Sequence, residues 1–247
     1  MEASIRHAMA PTNEEIRAQR LSTNAAIAAE LLGGGGGRAL DVGCGDGKFT
    51  RALAGLCREV SGIDVRASRI EDALAAAQAA GVAIDFRIAA GEALPYAAAG
   101  FDLVAFSNSL HHMANVELAL REAARVLRPD GLLYVMEPVP SGTYHEATRL
   151  VNDETIVRTE AYRALLRMAD RGFVAVAEVM YRARRDFADF AEWREDQIDR
   201  DPGRQARFDT QPDEVRRRFE SNADRENGRL AFDQVFRVNL LRKPEAE

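Results

Sequence analysis

Gly43, Gly45 and Gly47 stand at alternate positions in the stretch Arg38-Ala39-Leu40-Asp41-Val42-Gly43-Cys44-Gly45-Asp46-Gly47-Lys48-Phe49-Thr50. Without a Cβ, these residues let the backbone turn sharply and come close to a ligand. The run Ala39 to Val42 leading into them reads as a buried strand. A helix is predicted to start near Lys48, with N–H groups pointing outward toward negative charge. Asp64 ends the next apolar run about twenty residues on, the spacing that sets a carboxylate beside a ribose. A Gly-x-Gly alone specifies only a tight turn. Joined to Asp64 at the end of a second strand, it points to a nucleoside site. The candidates for moving a proton near neutral pH are His111, His112 and His145, the last flanked by Tyr144 and Glu146. A histidine at a helix start serves equally well as a structural residue. Cys44 reads as a small side chain packed behind the loop, not as a nucleophile.

The segment Leu40 to Gly47 resembles the first motif of the class I S-adenosylmethionine-dependent methyltransferases. Glu92-Ala93-Leu94-Pro95, Leu110-His111-His112 and Arg125-Val126-Leu127-Arg128-Pro129-Asp130-Gly131 resemble the small-molecule, methyltransferase type 11-like branch of that family. The likeness covers residues 38–137. It implies an S-adenosylmethionine cofactor and methyl transfer to a small organic acceptor by in-line displacement. Such a reaction asks the protein mainly for alignment and exclusion of water. A base is needed only if the attacking atom carries a proton.

By the same resemblance, Asp41 and the turn Gly43, Cys44, Gly45 and Gly47 hold the methionyl end, and Asp64 holds the ribose diol. A strand-end acid is otherwise often a helix cap. Val65 and the turn Ala90-Gly91-Glu92 serve the adenine. Asn108 and His112 line the methyl-donor side. The chain departs from the family at Ala90, where an Asp often accepts from the adenine amino group. The base must then be held by backbone, Glu92 or water.

These residues need a scaffold, and the periodicity supplies one. A helix is predicted over 13–32 with Ile16, Ile27, Leu31 and Leu32 inward, behind a frayed start over residues 1–12. Gly33 to Gly37 read as a flexible linker. Strands follow at 39–42, 59–64, 82–89, 101–106 and 132–137. Helices at 48–56, 67–80 and 116–127 separate them, and Pro129-Asp130-Gly131 is a turn signal. This alternation implies a Rossmann-like, mainly parallel sheet with helices on both faces, of α/β class. Ligands then sit beyond the carboxyl ends of the strands, where Asp41 to Gly47, Asp64, Ala90 to Glu92, Asn108 to His112 and Glu137 all fall.

Later come a helix at 155–170, a strand at 173–184, helices at 187–199 and 212–221, and a strand at 230–241. The two late strands complete a seven-stranded sheet, the last strand antiparallel. The chain is expected to be a single domain: N-terminal helix 1–32, cofactor core 38–137, and insertions 138–170 and 186–228 as helical lid or substrate wall.

With 247 residues and 47% hydrophobic composition, the chain supports a sizeable core. No apolar run approaches bilayer length, no export signal is visible at the start, and two cysteines make no disulfide framework, so a cytoplasmic location is expected. A net charge of −6 argues against a general nucleic-acid binder. The Pro-Cys and Asn/Asp-Pro-Pro-Tyr/Phe motifs of nucleic-acid methylases are missing, and no His, Asp and Glu spacing suggests a metal site. The competing readings are an RNA or protein methyltransferase, a non-catalytic binding subunit on the same fold, and an NAD(P)-dependent Rossmann dehydrogenase. The last is disfavoured because Gly47 lies two residues beyond Gly45, where the dinucleotide fingerprint wants three.

Overall fold

The computed structural model describes residues 9–34 and 36–245. Of the expected frayed start, residues 1–8 lie outside the described residues. In chain order the elements begin with α1 (Asn13–Ala18), α2 (Asn24–Leu32), β1 (Gly36–Val42), α3 (Lys48–Ala54), β2 (Cys57–Asp64) and α4 (Ala67–Ala79). Next come β3 (Asp85–Ile88), β4 (Phe101–Ser107), α5 (Val116–Val126), β5 (Leu127–Pro138), α6 (Thr143–Thr148) and α7 (Thr155–Leu166). The chain ends with β6 (Val174–Phe187), α8 (Phe190–Arg200), α9 (Gln205–Thr210), α10 (Pro212–Ser221), β7 (Asp224–Glu226) and β8 (Arg229–Arg242). Packing divides the described chain into two compact units. A sheet unit comprises residues 22–137, 160–179 and 237–245, and a second unit comprises 9–21, 138–159 and 180–236.

The strand order is β3-β2-β1-β4-β5-β8-β6. β1 pairs in parallel with both β2 and β4, so the order reverses there. β8 runs against β5: the Lys243 N–H donates to the Gly131 carbonyl and the Val139 N–H to the Val235 carbonyl, both at 2.9 Å, so residue numbers climb on one strand as they fall on the other. The seven expected strands form, the last antiparallel. A three-residue eighth, β7, pairs with β8 through Asn227 and Gly228, at φ +51° and +79°. Asn-Gly is the strongest short-range hairpin signal, and it was available in the sequence.

Side chains alternate across a strand, which decides what each face meets. Leu40 and Val42 pack with Val104, Phe106, Leu133 and Val135, and with Leu120 and Ala123 of α5. On the opposite face Asp41 meets Thr50 of α3. Phe49 stacks there on Tyr134 with ring centroids 5.5 Å apart, and the Tyr134 hydroxyl donates to Asn24 of α2 at 2.6 Å. Helices therefore cover both faces. Ala161, Ala164, Leu165 and Met168, within the first expected insertion, join the Leu40 cluster.

The second unit is built around aromatic side chains. Trp193 stacks on Phe219 at 4.6 Å and meets Phe208 edge-on at 5.3 Å. Tyr144, Phe187 and Phe232 complete the cluster. Among the described residues, no helix is long and apolar enough to cross a membrane.

Some local expectations are corrected. The helix over 13–32 is two helices, because two threonines cap two starts. Thr12 forms a capping box with Glu15, and Thr23 accepts the Ala26 N–H at 3.2 Å. The glycine stretch is not a linker over its described residues: Gly33 ends α2 at φ +70° and Gly36 and Gly37 already belong to β1. Gly35 lies outside the described residues. Pro129-Asp130-Gly131 does not separate two elements. It forms an irregularity inside β5, where the register to β4 shifts and Asp130 takes φ +62°.

Candidate cofactor and active site

The glycine turn closes on itself. The N–H groups of Gly43 and Cys44 both donate to the Ile63 carbonyl at 2.8 Å, and that of Gly47 to the Cys44 carbonyl at 3.0 Å. The Gly45 N–H donates to Asp64 Oδ2 at 3.0 Å. The Lys48 N–H donates to Asp46 Oδ1 at 3.1 Å, so the first N–H of α3 is already taken by the chain's own carboxylate. Five N–H groups of the turn and helix start, those of Gly43, Cys44, Gly45, Gly47 and Lys48, are thus bonded within the chain.

The glycines differ in what they face. A Cβ on Gly47 would lie 2.9 Å from Phe86 and one on Gly43 2.6 Å from the Ser109 side chain, whereas one on Gly45 meets nothing within 4 Å. Gly45 is the open position of the turn.

Asp64, only 6% exposed, also accepts the Arg66 N–H on Oδ1 at 2.9 Å. Each oxygen keeps a lone pair for a further donor. Beside it Val65 is 64% exposed and Ile88, its neighbour at the end of β3, 60%. Two exposed aliphatic side chains at adjoining strand ends offer apolar surface to a flat ring.

Asp41 is fully buried beneath the turn. Its Oδ2 accepts the Thr50 hydroxyl at 2.7 Å, while Oδ1 has no hydrogen-bond partner among the described residues. Burial pushes its carboxyl up to about 7, with the Thr50 hydrogen bond opposing and the Asp64 charge adding. Asp41 thus acts from behind the turn, not on its open side. Cys44 is buried, its Sγ close against Gly62. Burial, with Asp41 and Asp64 nearby, pushes its thiol pKa well up. A protonated, enclosed thiol packs and does not attack.

Gly91 is pinned between Met113 and Val42, whose side chains would lie 2.7 and 2.9 Å from a Cβ there. Ala90 is half-buried. Glu92 Oε1 accepts the Asn115 N–H at 3.1 Å, and Asn115 caps α5. One carboxylate oxygen of Glu92 is therefore committed to a helix start.

At the end of β4, Asn108 is exposed and left-handed at φ +57°. Such strain in a non-glycine residue concentrates at functional loops. The next residues hang on Glu137 at the end of β5. Its Oε1 accepts the Leu110 N–H at 2.7 Å and the His111 N–H at 3.4 Å, and its Oε2 meets His111 Nδ1 in a short contact. His111 is buried, and the exposed His112 ring lies against it with centroids 3.9 Å apart. The carboxylate fixes the His111 ring and its tautomer. Glu137 is a candidate site residue that sequence reasoning under-weighted: an acid at a strand's carboxyl end was visible, but not its histidine partner.

His145 belongs to the second unit. It is buried, its Nε2 lies 3.5 Å from the Thr155 hydroxyl, and burial and the Arg158 charge hold it below the ordinary histidine value.

Comparison with known proteins bears on the domain and the fold. Residues 40–135 match the family model described as a methyltransferase domain. A ubiquinone biosynthesis O-methyltransferase of Chelativorans sp. (strain BNC1) is 31% identical over 157 residues, which cover 56% of this chain and 62% of that protein. The match thus spans less than two thirds of that relative. The YcgJ protein of Bacillus subtilis superposes with a TM-score of 0.61 at 22% identity, over 90% of this chain and 98% of that one. A Bacillus halodurans C-125 protein superposes with a TM-score of 0.64 at 20% identity, over 90% and 100%. Residues 40–135 thus match a methyltransferase domain model, within a chain that shares the fold of the Bacillus subtilis and Bacillus halodurans proteins.

Proposed function

We propose that the chain transfers a methyl group from S-adenosylmethionine to a small organic acceptor. The observation that carries this reading is the Asp64 carboxylate clamped to the open Gly45 turn at 3.0 Å, beside exposed Val65 and Ile88. Asp64 has the spare lone pairs a ribose diol needs, Val65 and Ile88 the apolar surface a base needs, and Asp41 the negative field a methionyl amine favours. When bound, this cofactor supplies a methyl group on a sulfonium, already activated for displacement.

The chain's part is to align and to shield. A hydroxyl acceptor, the class named in the Chelativorans relative, must shed a proton. Exposed His112 is the acceptor of that proton, and Glu137 with His111 holds its ring in place. Against a dinucleotide-dependent dehydrogenase stands the closure of the turn, where the N–H groups of Gly43, Cys44, Gly45, Gly47 and Lys48 are spent within the chain. A pyrophosphate would need them.

Cofactor titration tests the reading. S-adenosylhomocysteine should raise the melting temperature and NAD should not. Absence of both heat and thermal shift with S-adenosylhomocysteine would overturn it.

A further inference from the structure

Among the described residues of the second unit, the buried side-chain polar atoms without a hydrogen-bond partner are Arg158 Nε, Trp193 Nε1 and Arg204 Nε. All three are N–H donors. Buried polar groups are normally paired, so a unit whose unmet groups are all donors is short of acceptors.

These donors belong to one connected centre. Trp193 and Gln197 lie four residues apart on α8, hence on one face, and both are buried. Gln197 Oε1 accepts Arg204 Nη1 at 2.8 Å, and Gln197 Nε2 donates to the Tyr144 hydroxyl at 3.0 Å. Arg158 pairs through Nη2 with Glu154, whose charge also acts on Arg204. Arg204 Nε lies 3.6 Å from the exposed Asp201, beyond hydrogen-bond reach. The Arg158 and Arg204 side chains are each 12% exposed, while their Nε atoms are buried.

The charge balance points the same way. Arg200 is also desolvated, but Asp196 holds it with two bonds of 3.0 and 2.8 Å and leaves its pKa raised. Burial lowers Arg204, and Glu154 and Asp201 offset only part of that. Asp196 holds Arg200 at hydrogen-bond distance, whereas Asp201 approaches Arg204 no closer than 3.6 Å. A planar guanidinium is matched by a carboxylate.

We propose that the centre formed by Arg158, Trp193, Gln197 and Arg204 binds the carboxylate of an acidic small molecule.

Trp193 is the only tryptophan in the chain, so its emission reports on this centre alone. The full chain is titrated with benzoate and with benzamide, which has the same shape without the charge. Benzoate should change Trp193 emission saturably, with benzamide at least tenfold weaker. Arg204→Met should weaken benzoate by a similar factor, and Arg204→Lys by less, with the fold checked by circular dichroism. Equal responses to the two probes, no saturable response to benzoate, or a folded Arg204→Met protein that binds benzoate like the parent would each overturn the proposal. The parent's comparison of probes needs no variant to fold. Calorimetry with S-adenosylhomocysteine runs in parallel: its failure beside intact benzoate binding removes the methyl-transfer reading and leaves the carboxylate site.

Discussion

The Asp64 carboxylate spans nineteen residues to take the Gly45 N–H at 3.0 Å, tying the end of β2 to the open position of the turn after β1. Losing it removes both a charged acceptor and a clamp. Asp64→Ala should cost about 1.5–3 kcal/mol of S-adenosylhomocysteine affinity, the range for a hydrogen bond to a charged group. Calorimetry on the folded variant is the check. Affinity within twofold of the parent would leave Asp64 as a clamp only.

Gly45 and Gly47 should separate binding from stability. Both have positive φ, so a side chain at either costs about 1–2 kcal/mol in backbone strain. A Cβ on Gly47 also drives into Phe86, whereas one on Gly45 meets open space. Gly47→Val should therefore lower the melting temperature more than Gly45→Val. Gly45→Val should abolish S-adenosylhomocysteine binding while remaining folded. Undiminished affinity would mean that the ligand does not lie against this turn.

Asp41 should make both stability and binding depend on pH. Its folded pKa is pushed up to about 7 from 3.8. Between those values the folded state holds a proton that the unfolded chain has lost. Stability therefore falls as pH rises through that window and levels off above it. Asp41→Asn should raise the melting temperature more at about pH 8 than at about pH 4. A methionyl amine favours the ionised carboxylate, so S-adenosylhomocysteine should bind the parent about tenfold tighter at about pH 8 than at about pH 6. The Asn variant should show no such change by calorimetry. A parent with flat affinity would place the amine away from Asp41.

Ala90→Asp tests the adenine side. Glu92 has one oxygen committed to Asn115, which leaves the base short of a carboxylate. The substitution should tighten S-adenosylhomocysteine binding by about 1 kcal/mol. Unchanged or weaker binding in a titration would show that a backbone carbonyl already fills the role.

Glu137 and His112 should act on turnover and not on cofactor affinity. His112→Gln should lower kcat by about 10²–10⁴-fold, the usual worth of a general base. Glu137→Gln should lower kcat less, with Glu137→Asp partly restoring it. Cofactor affinity should stay level in all three. Parallel losses in kcat and cofactor affinity would mean that Glu137 merely holds the loop.

The sequence by itself determined the kind and order of the longer elements of the sheet and its covering helices. Period-two and helical apolar patterns are local, and each decides its own segment's burial. The run from Ala39 to Val42, the stop at Gly81 and the amphipathic spacing of Val116 to Leu127 were all legible for that reason. The glycine turn and Asp64 were legible too, because short loops at strand ends leave little freedom in where they land. Breaks inside segments were harder to see. Thr23 outranked the apparent continuity of a helix over 13–32, and the bulge at Asp130 depended on the neighbouring strand.

Only the tertiary structure decided what each polar group does. Asp41 lies beneath the turn because strand parity points it at Thr50. Glu92 turns to Asn115, and Glu137, twenty-six residues from His111, takes that ring. Arg204 finds Gln197 and lacks a full counter-charge only because α8 and the chain beyond it fold together. Each outcome depends on which distant groups share a few ångströms of dry interior. There an unpaired donor or carboxylate is costly, and no local pattern of residue types records such a meeting.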